Sequence, residues 1–124
     1  MTFDWSQGAL AQGLRDYNAG NYFEAHESWE AVWITCHGPE KALLQGLIQV
    51  AAAFHHYQRG NLLGTQRTFE KALRRLDSLP AEFCGIAVAL LRNDIQDRLD
   101  KLQATPPPAA TLAPARILLV LPAN

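Results

Sequence analysis

The 124-residue chain carries 11 Lys and Arg against 12 Asp and Glu, for a formal net charge of −1, and 48% of its residues are hydrophobic. That length suits one domain with a real core, and near-neutral charge without a sustained basic stripe excludes the electrostatic footprint of a nucleic-acid binder. The longest apolar run near the C-terminus, Ile117 to Leu121, is far below the roughly 20 residues of a membrane span, so no membrane partner is expected.

The spacing of apolar residues predicts five helices. Asp4 or Ser6 is a candidate cap for a first helix to about Asn18, on which Leu10, Leu14 and Tyr17 recur at helical spacing. Gly20 closes it. Asn21, with Glu24 in the first turn, opens a second helix through Trp33 to about His37. Gly38-Pro39 ends that helix and starts a third, Pro39 to about Arg59, which is apolar in almost every direction and belongs in the middle of a bundle. Gly60-Asn61 repeats the stop and cap signal before a fourth helix to about Ser78, with Leu62, Thr65, Phe69, Leu73 and Leu76 on its apolar face. The fifth, from about Ala81 to Gln103, becomes strongly charged after Arg92 and reads there as a solvated surface helix.

Residues 1–103 therefore form one all-α domain, a compact bundle of about five helices in antiparallel hairpins, and 104–124 form a Pro-rich extended tail. Pro106-Pro107-Pro108 predicts an extended or mobile link. The apolar residues beyond it should lie along a groove of the same domain or of a partner chain, in a homo-oligomer or with another protein. Cys36 and Cys84, far apart in expected helices, read as reduced thiols, and the absence of a basic or apolar leader after Met1 points to a cytoplasmic protein. A shift of forty positions brings Tyr17, Gly20, Asn21 and Glu30 onto Tyr57, Gly60, Asn61 and Glu70, a spacing near that of stacked helical hairpins.

Chemistry-bearing residues concentrate on the second helix. His26 and Glu30 stand one turn apart on one face, and Gln45, Gln49 and His56 share a face of the third helix. Facing each other across an antiparallel pair, they would form a buried polar cluster whose members need partners, since a buried polar group without one costs about 1 to 3 kcal/mol.

Gly20-Asn21-Tyr22-Phe23-Glu24-Ala25-His26-Glu27-Ser28-Trp29-Glu30 with Trp33, then Leu44-Gln45-Gly46-Leu47-Ile48-Gln49 with Ala51-Ala52-Ala53, then Arg59-Gly60-Asn61 resemble the small bacterial and archaeal proteins called domain of unknown function 309. The resemblance covers about Asp16 to Leu76. It implies an all-α domain of hairpins somewhat like tetratricopeptide repeats, with no established activity. It also implies recurrent polar positions at His26, Glu27, Glu30, Gln45 and Gln49.

Three readings follow. The first is a structural network, in which Glu30 accepts from His26 or His56 and the two glutamines bridge the remaining groups. The second is a binding or interaction module with Tyr22, Trp29 and Trp33 as apolar walls. The third is a metal-dependent hydrolase, in which the His-Glu-x-x-Glu helix places His26 and Glu30 as ligands of a divalent metal, His56 or His55 completes the set, and Glu27 acts as general base.

Overall fold

In the computed structural model, residues 3–104 and 112–120 are described. Helix α1 (Gly8–Asn18) buries Leu10, Ala11, Gly13 and Tyr17 on one face. Its N-cap is Gln7, which makes no side-chain capping bond. Asp4 instead accepts hydrogen bonds from the Ser6 backbone N–H at 2.9 Å and the Gln7 amide at 2.7 Å, a local turn that precedes the helix.

Helix α2 (Tyr22–Trp33) buries Tyr22, Ala25 and Trp29. It ends before the expected His37 because the Thr35 hydroxyl takes the Val32 carbonyl at 2.7 Å and the Cys36 N–H takes that of Trp33, which converts the last turn to a tight reversal. Helix α3 (Gly38–Gln58) has Pro39 in its first turn and buries nine residues, among them Leu43, Leu44, Leu47, Val50 and Phe54. Each of those large side chains contributes roughly 1.5 to 3 kcal/mol on burial, which makes α3 the centre of the domain. It packs on α2 on one side and on α4 (Leu62–Leu76) on the other. Gly46 makes the second contact close, since a Cβ there would stand 2.5 Å from Leu76.

The fifth helix starts later than its apolar spacing suggests. Residues 82–87 form a small antiparallel hairpin of β1 (Glu82–Phe83) and β2 (Ile86–Ala87), and only then does α5 (Val88–Gln103) begin and pack on α4. The turn residues Cys84 and Gly85 both have positive φ, 49° and 81°, the backbone twist that a two-residue hairpin requires. Trp5 seals this turn, donating from Nε1 to the Cys84 carbonyl at 2.8 Å.

The C-terminal segment 112–120 docks on its own helices as a strap. Leu112, Ala115 and Ile117 are buried, and the strap meets the two-stranded hairpin in a single antiparallel bridge, Ile86 with Leu119, through Ala87 N–H to Leu118 O (2.9 Å) and Val120 N–H to Gly85 O (2.8 Å). The expectation for Thr105–Thr111 and Leu121 lies outside the described residues.

Candidate functional site

Helix α2 presents two faces with different fates. Tyr22, Ala25 and Trp29 enter the core between α1 and α3, whereas Phe23, Glu27, Glu30 and Ile34 form an exposed stripe at spacings of three and four residues. Phe23 is 48% and Ile34 65% exposed, so this is an apolar-ended, acidic surface. His26 lies at the border of the two faces. Its Nε2 is 3.2 Å from the Glu30 carboxylate, and the Phe23 ring stacks on it at 6.2 Å.

The His26 and Glu30 side chains are 30% and 52% exposed, so the cluster borders the surface and does not meet inside the protein as expected. The physical reason is the number of neighbours: among the described residues α2 packs on α1 and α3, and its outer stripe stays exposed. The α3 row nevertheless does line up beside α2. Glu30 and Trp33 share a 220 Å³ depression with Gln45, Ile48 and Gln49, and one turn further along the seam Phe23 and His26 share a 160 Å³ depression with Ala52, His55 and His56. On the outer side of α2, Phe23, His26, Glu27, Glu30, Ala31 and Ile34 border a third depression of 370 Å³.

Three polar atoms along this seam are shielded from solvent and have no hydrogen-bond partner among the described residues: His26 Nδ1, Trp33 Nε1 and Gln49 Oε1. With Nε2–H donating to Glu30, a neutral His26 leaves Nδ1 as an acceptor; the tautomer is assigned from that partner. The seam thus offers two acceptors, at His26 and Gln49, and one donor, at Trp33. Lys41 sits 4.5 Å over the Trp33 ring and holds it in place.

Other expected site residues sit elsewhere. Trp29 has no exposed surface; its Nε1 donates to the Leu10 carbonyl at 3.2 Å and its ring lies against Tyr17, so it is core and not a pocket wall, and Tyr22 is buried against the other rings, Tyr17 and Phe54. His56 points its Nδ1 toward the Asn61 amide at 3.5 Å. Among the described residues, no three His, Cys, Asp or Glu side chains converge closely enough to hold a metal ion, so His26, Glu30 and His56 (or His55) do not assemble as a ligand set. Glu27 stands on the outward stripe next to the His26–Glu30 pair.

A second constellation was not anticipated. Asp94, in the half of α5 read as solvated, is buried and takes the Arg116 guanidinium in a fork, Nε to Oδ2 at 2.9 Å and Nη2 to Oδ1 at 3.0 Å, while the Arg116 backbone N–H donates to Oδ2 at 2.8 Å. The Arg116 hydrogen bond holds the Asp94 carboxyl below its ordinary value of 3.8 against the opposing effect of burial. The available signal was spacing, since Asp94 falls on the same stripe as Leu91, Ile95 and Leu99.

Comparison with known proteins places this geometry among relatives without an assigned activity. The family described as Domain of unknown function (DUF309) matches residues 10–68. An uncharacterized protein of Aquifex aeolicus (strain VF5) is 30% identical over 100 residues, 80% of this chain and 30% of that protein, so the chain spans under a third of that relative's length. The crystal structure of a conserved hypothetical protein from Thermus thermophilus superposes with a TM-score of 0.66 at 35% identity, covering 81% of this chain and 99% of the other. No helix among the described residues is long and apolar enough to cross a membrane.

Proposed function

The chain belongs to the family described as Domain of unknown function (DUF309), and from the α2–α3 seam we propose that it is a polypeptide-binding module that takes a basic, partly apolar segment of a partner protein. The observation that carries this reading is the exposed stripe of Phe23, Glu27, Glu30 and Ile34 on α2, an acidic surface with an apolar side chain at each end. Behind it, His26 Nδ1, Trp33 Nε1 and Gln49 Oε1 are shielded and, among the described residues, without partners, each costing about 1 to 3 kcal/mol when unsatisfied, and a bound segment reaches them only where side chains of the seam shift to admit it.

Charge and shape support the same class of partner. Helix α2 carries Glu24, Glu27 and Glu30 and no Lys or Arg, so long-range attraction favours a cationic segment. Phe23 and Ile34 at the ends of the stripe supply apolar anchors of the kind that carry most of the affinity in small interfaces. Unpaired thiols at Cys36 and Cys84 fit a reducing compartment.

The test is selection from a displayed peptide library, followed by calorimetry of the winners with the purified chain. Enrichment of segments with net positive charge is expected, with affinity falling at least tenfold in Glu27→Lys and in Ile34→Asp. Equal recovery of acidic and basic peptides, or affinity unaffected by both substitutions, overturns the reading.

A further inference from the structure

The forty-residue repeat gives the acidic stripe of α2 a counterpart of opposite charge on the same chain. Phe23, Glu27, Glu30, Ala31 and Ile34 shift onto Leu63, Arg67, Glu70, Lys71 and Arg74 of α4. Leu63, Arg67, Lys71 and Arg74 are exposed and follow one another at steps of four, four and three residues, so they form one outward stripe, apolar at its start and basic along its length. Glu70, half-buried at the edge of that stripe, is outnumbered by its three cations. Among the described residues neither Glu27 nor any of these cations makes an ion pair, so both stripes offer their charge outward.

We infer that the cationic segment taken by the α2 stripe is α4 of a second copy of this chain, so that two copies form a dimer about a dyad. Both α2 and α4 pack on α3 and are joined to it by residues 34–37 and 59–61 alone, so each runs antiparallel to α3 and the two run parallel to one another. A dyad perpendicular to these axes sets α2 of one copy antiparallel to α4 of the other and repeats the pairing with the copies exchanged. In that order one register matches the stripes from end to end: Ile34 against Leu63, Glu30 against Arg67, Glu27 against Lys71 and the Phe23 ring against the Arg74 guanidinium. The parallel order sets aliphatic Ile34 against Arg74, where no ring meets the charge. Ion pairs at such a surface select the partner and its register, and Ile34 with Leu63 supplies the apolar anchor. The inference rests on the reading of α2 as a surface for cationic segments, and it names the segment.

The test is the mass of the full chain by light scattering from about 10 µM to about 1 mM, a range that brackets weak association. We expect twice the monomer mass in low salt and the monomer in about 0.5 M salt, where screening shortens to a few ångströms. Glu27→Lys/Glu30→Lys makes both stripes basic and Arg67→Glu/Lys71→Glu makes both acidic, so each variant alone should be monomeric and an equal mixture should regain the doubled mass. All four positions are exposed, and unchanged melts by circular dichroism confirm that both variants fold. A parent that stays monomeric in low salt overturns the inference whatever the mixture does. The register is read with a short bis-maleimide in a Cys84→Ser background: Ile34→Cys mixed with Leu63→Cys should cross-link at least fivefold more than Phe23→Cys mixed with Leu63→Cys, and equal yields overturn it. The two readings of α2 fail separately. Monomeric chains that still prefer basic peptides overturn the dimer and leave the binding module, whereas a dimer whose monomeric Arg67→Glu/Lys71→Glu variant shows no peptide charge preference upholds the dimer and overturns the module.

Discussion

The α1–α2 and α3–α4 hairpins share a turn to within a few degrees. Gly20 and Gly60 have φ of 82° and 76°, and the Asn21 and Asn61 N–H groups reach back to Asp16 O at 2.8 Å and His56 O at 2.9 Å. Ala25 and Thr65 are fully buried at matching positions, as are Trp29 and Phe69. The hairpins part company on the outward side: Phe23, His26, Glu27 and Glu30 of the first become Leu63, Gln66, Arg67 and Glu70 in the second. The second hairpin folds without the imidazole, so neither the turn nor the packing of such a hairpin demands His26. What the fold requires recurs after forty residues; of the α2 residues at the proposed seam, Glu30 recurs as Glu70, whereas Phe23, His26 and Trp33 become Leu63, Gln66 and Leu73.

The largest expected difference lies in how each hairpin seats its buried ring. A Cβ on Gly13 would stand 2.2 Å from Trp29 Nε1, whereas the matching positions hold the larger Ala53 and the smaller Phe69. In an unobstructed helix interior Gly→Ala would stabilise by about 1 kcal/mol. Here Gly13→Ala is expected to destabilise by about 1 to 3 kcal/mol through overpacking, with much of the loss recovered in Gly13→Ala/Trp29→Phe, which copies the second hairpin. Chemical denaturation of the three chains measures this, and a Gly13→Ala chain as stable as the parent would show that the hairpins pack differently from this account.

Next in size is the pair of tyrosines that grip the strap, Tyr17 as a donor to Ala115 O and Tyr57 as an acceptor from Leu112 N–H. Tyr17→Phe leaves a buried carbonyl unpaired and should cost about 1 to 2 kcal/mol, more than Tyr57→Phe, where the contact is only partly buried. Burial also holds the Tyr17 hydroxyl well above its ordinary value of 10.0, because the anion would be desolvated. A raised folded-state value means the contribution is complete below pH 10.0 and is lost as pH rises through the folded value. Alkaline melts should therefore show a steeper loss in the parent than in Tyr17→Phe, with Tyr22 and Cys84, also raised by burial, contributing to the remaining slope.

A smaller contrast tests the two caps. The Asn61 side chain accepts from the Gly64 N–H at 2.9 Å, and a Cβ on Gly64 would lie 2.5 Å from its amide nitrogen. Asn21 has Glu24 at the corresponding position and makes no side-chain capping bond. Asn61→Ala should cost about 1 kcal/mol and Asn21→Ala a few tenths; equal losses in thermal melts would mean that the two turns are equivalent after all.

Much of this was legible from residues whose effect is local. Gly20-Asn21, Gly38-Pro39 and Gly60-Asn61 mark helix ends through backbone preferences that need no tertiary context, and the apolar girth of α3 announces a central helix. What escaped depended on neighbours. Phe83, Ile86 and Val88 fit helical spacing as well as the observed hairpin, and nothing about Cys84 in isolation says that it adopts a positive φ. The charge at Asp94 concealed its burial because the partner, Arg116, is twenty-two residues away. For the seam, the spacing of His26, Glu30, Gln45 and Gln49 revealed which groups adjoin one another, but depth depends on whether another helix covers α2, and that is a property of the whole packing.

The smallest expected effect bears most directly on the seam. Were Glu30 the anchor of a buried network, Glu30→Gln would remove the charged partner of His26 inside the protein and cost several kcal/mol. At 52% side-chain exposure its pairing with His26 is a surface contact, whose contribution is typically below about 1 kcal/mol and screened by salt. Glu30→Gln and its counterpart Glu70→Gln should both leave denaturation midpoints nearly unchanged, while Glu30→Gln alone weakens capture of a cationic peptide. A large stability loss confined to Glu30→Gln would return this pair to the architecture of the fold, and with it the imidazole that the second hairpin does without.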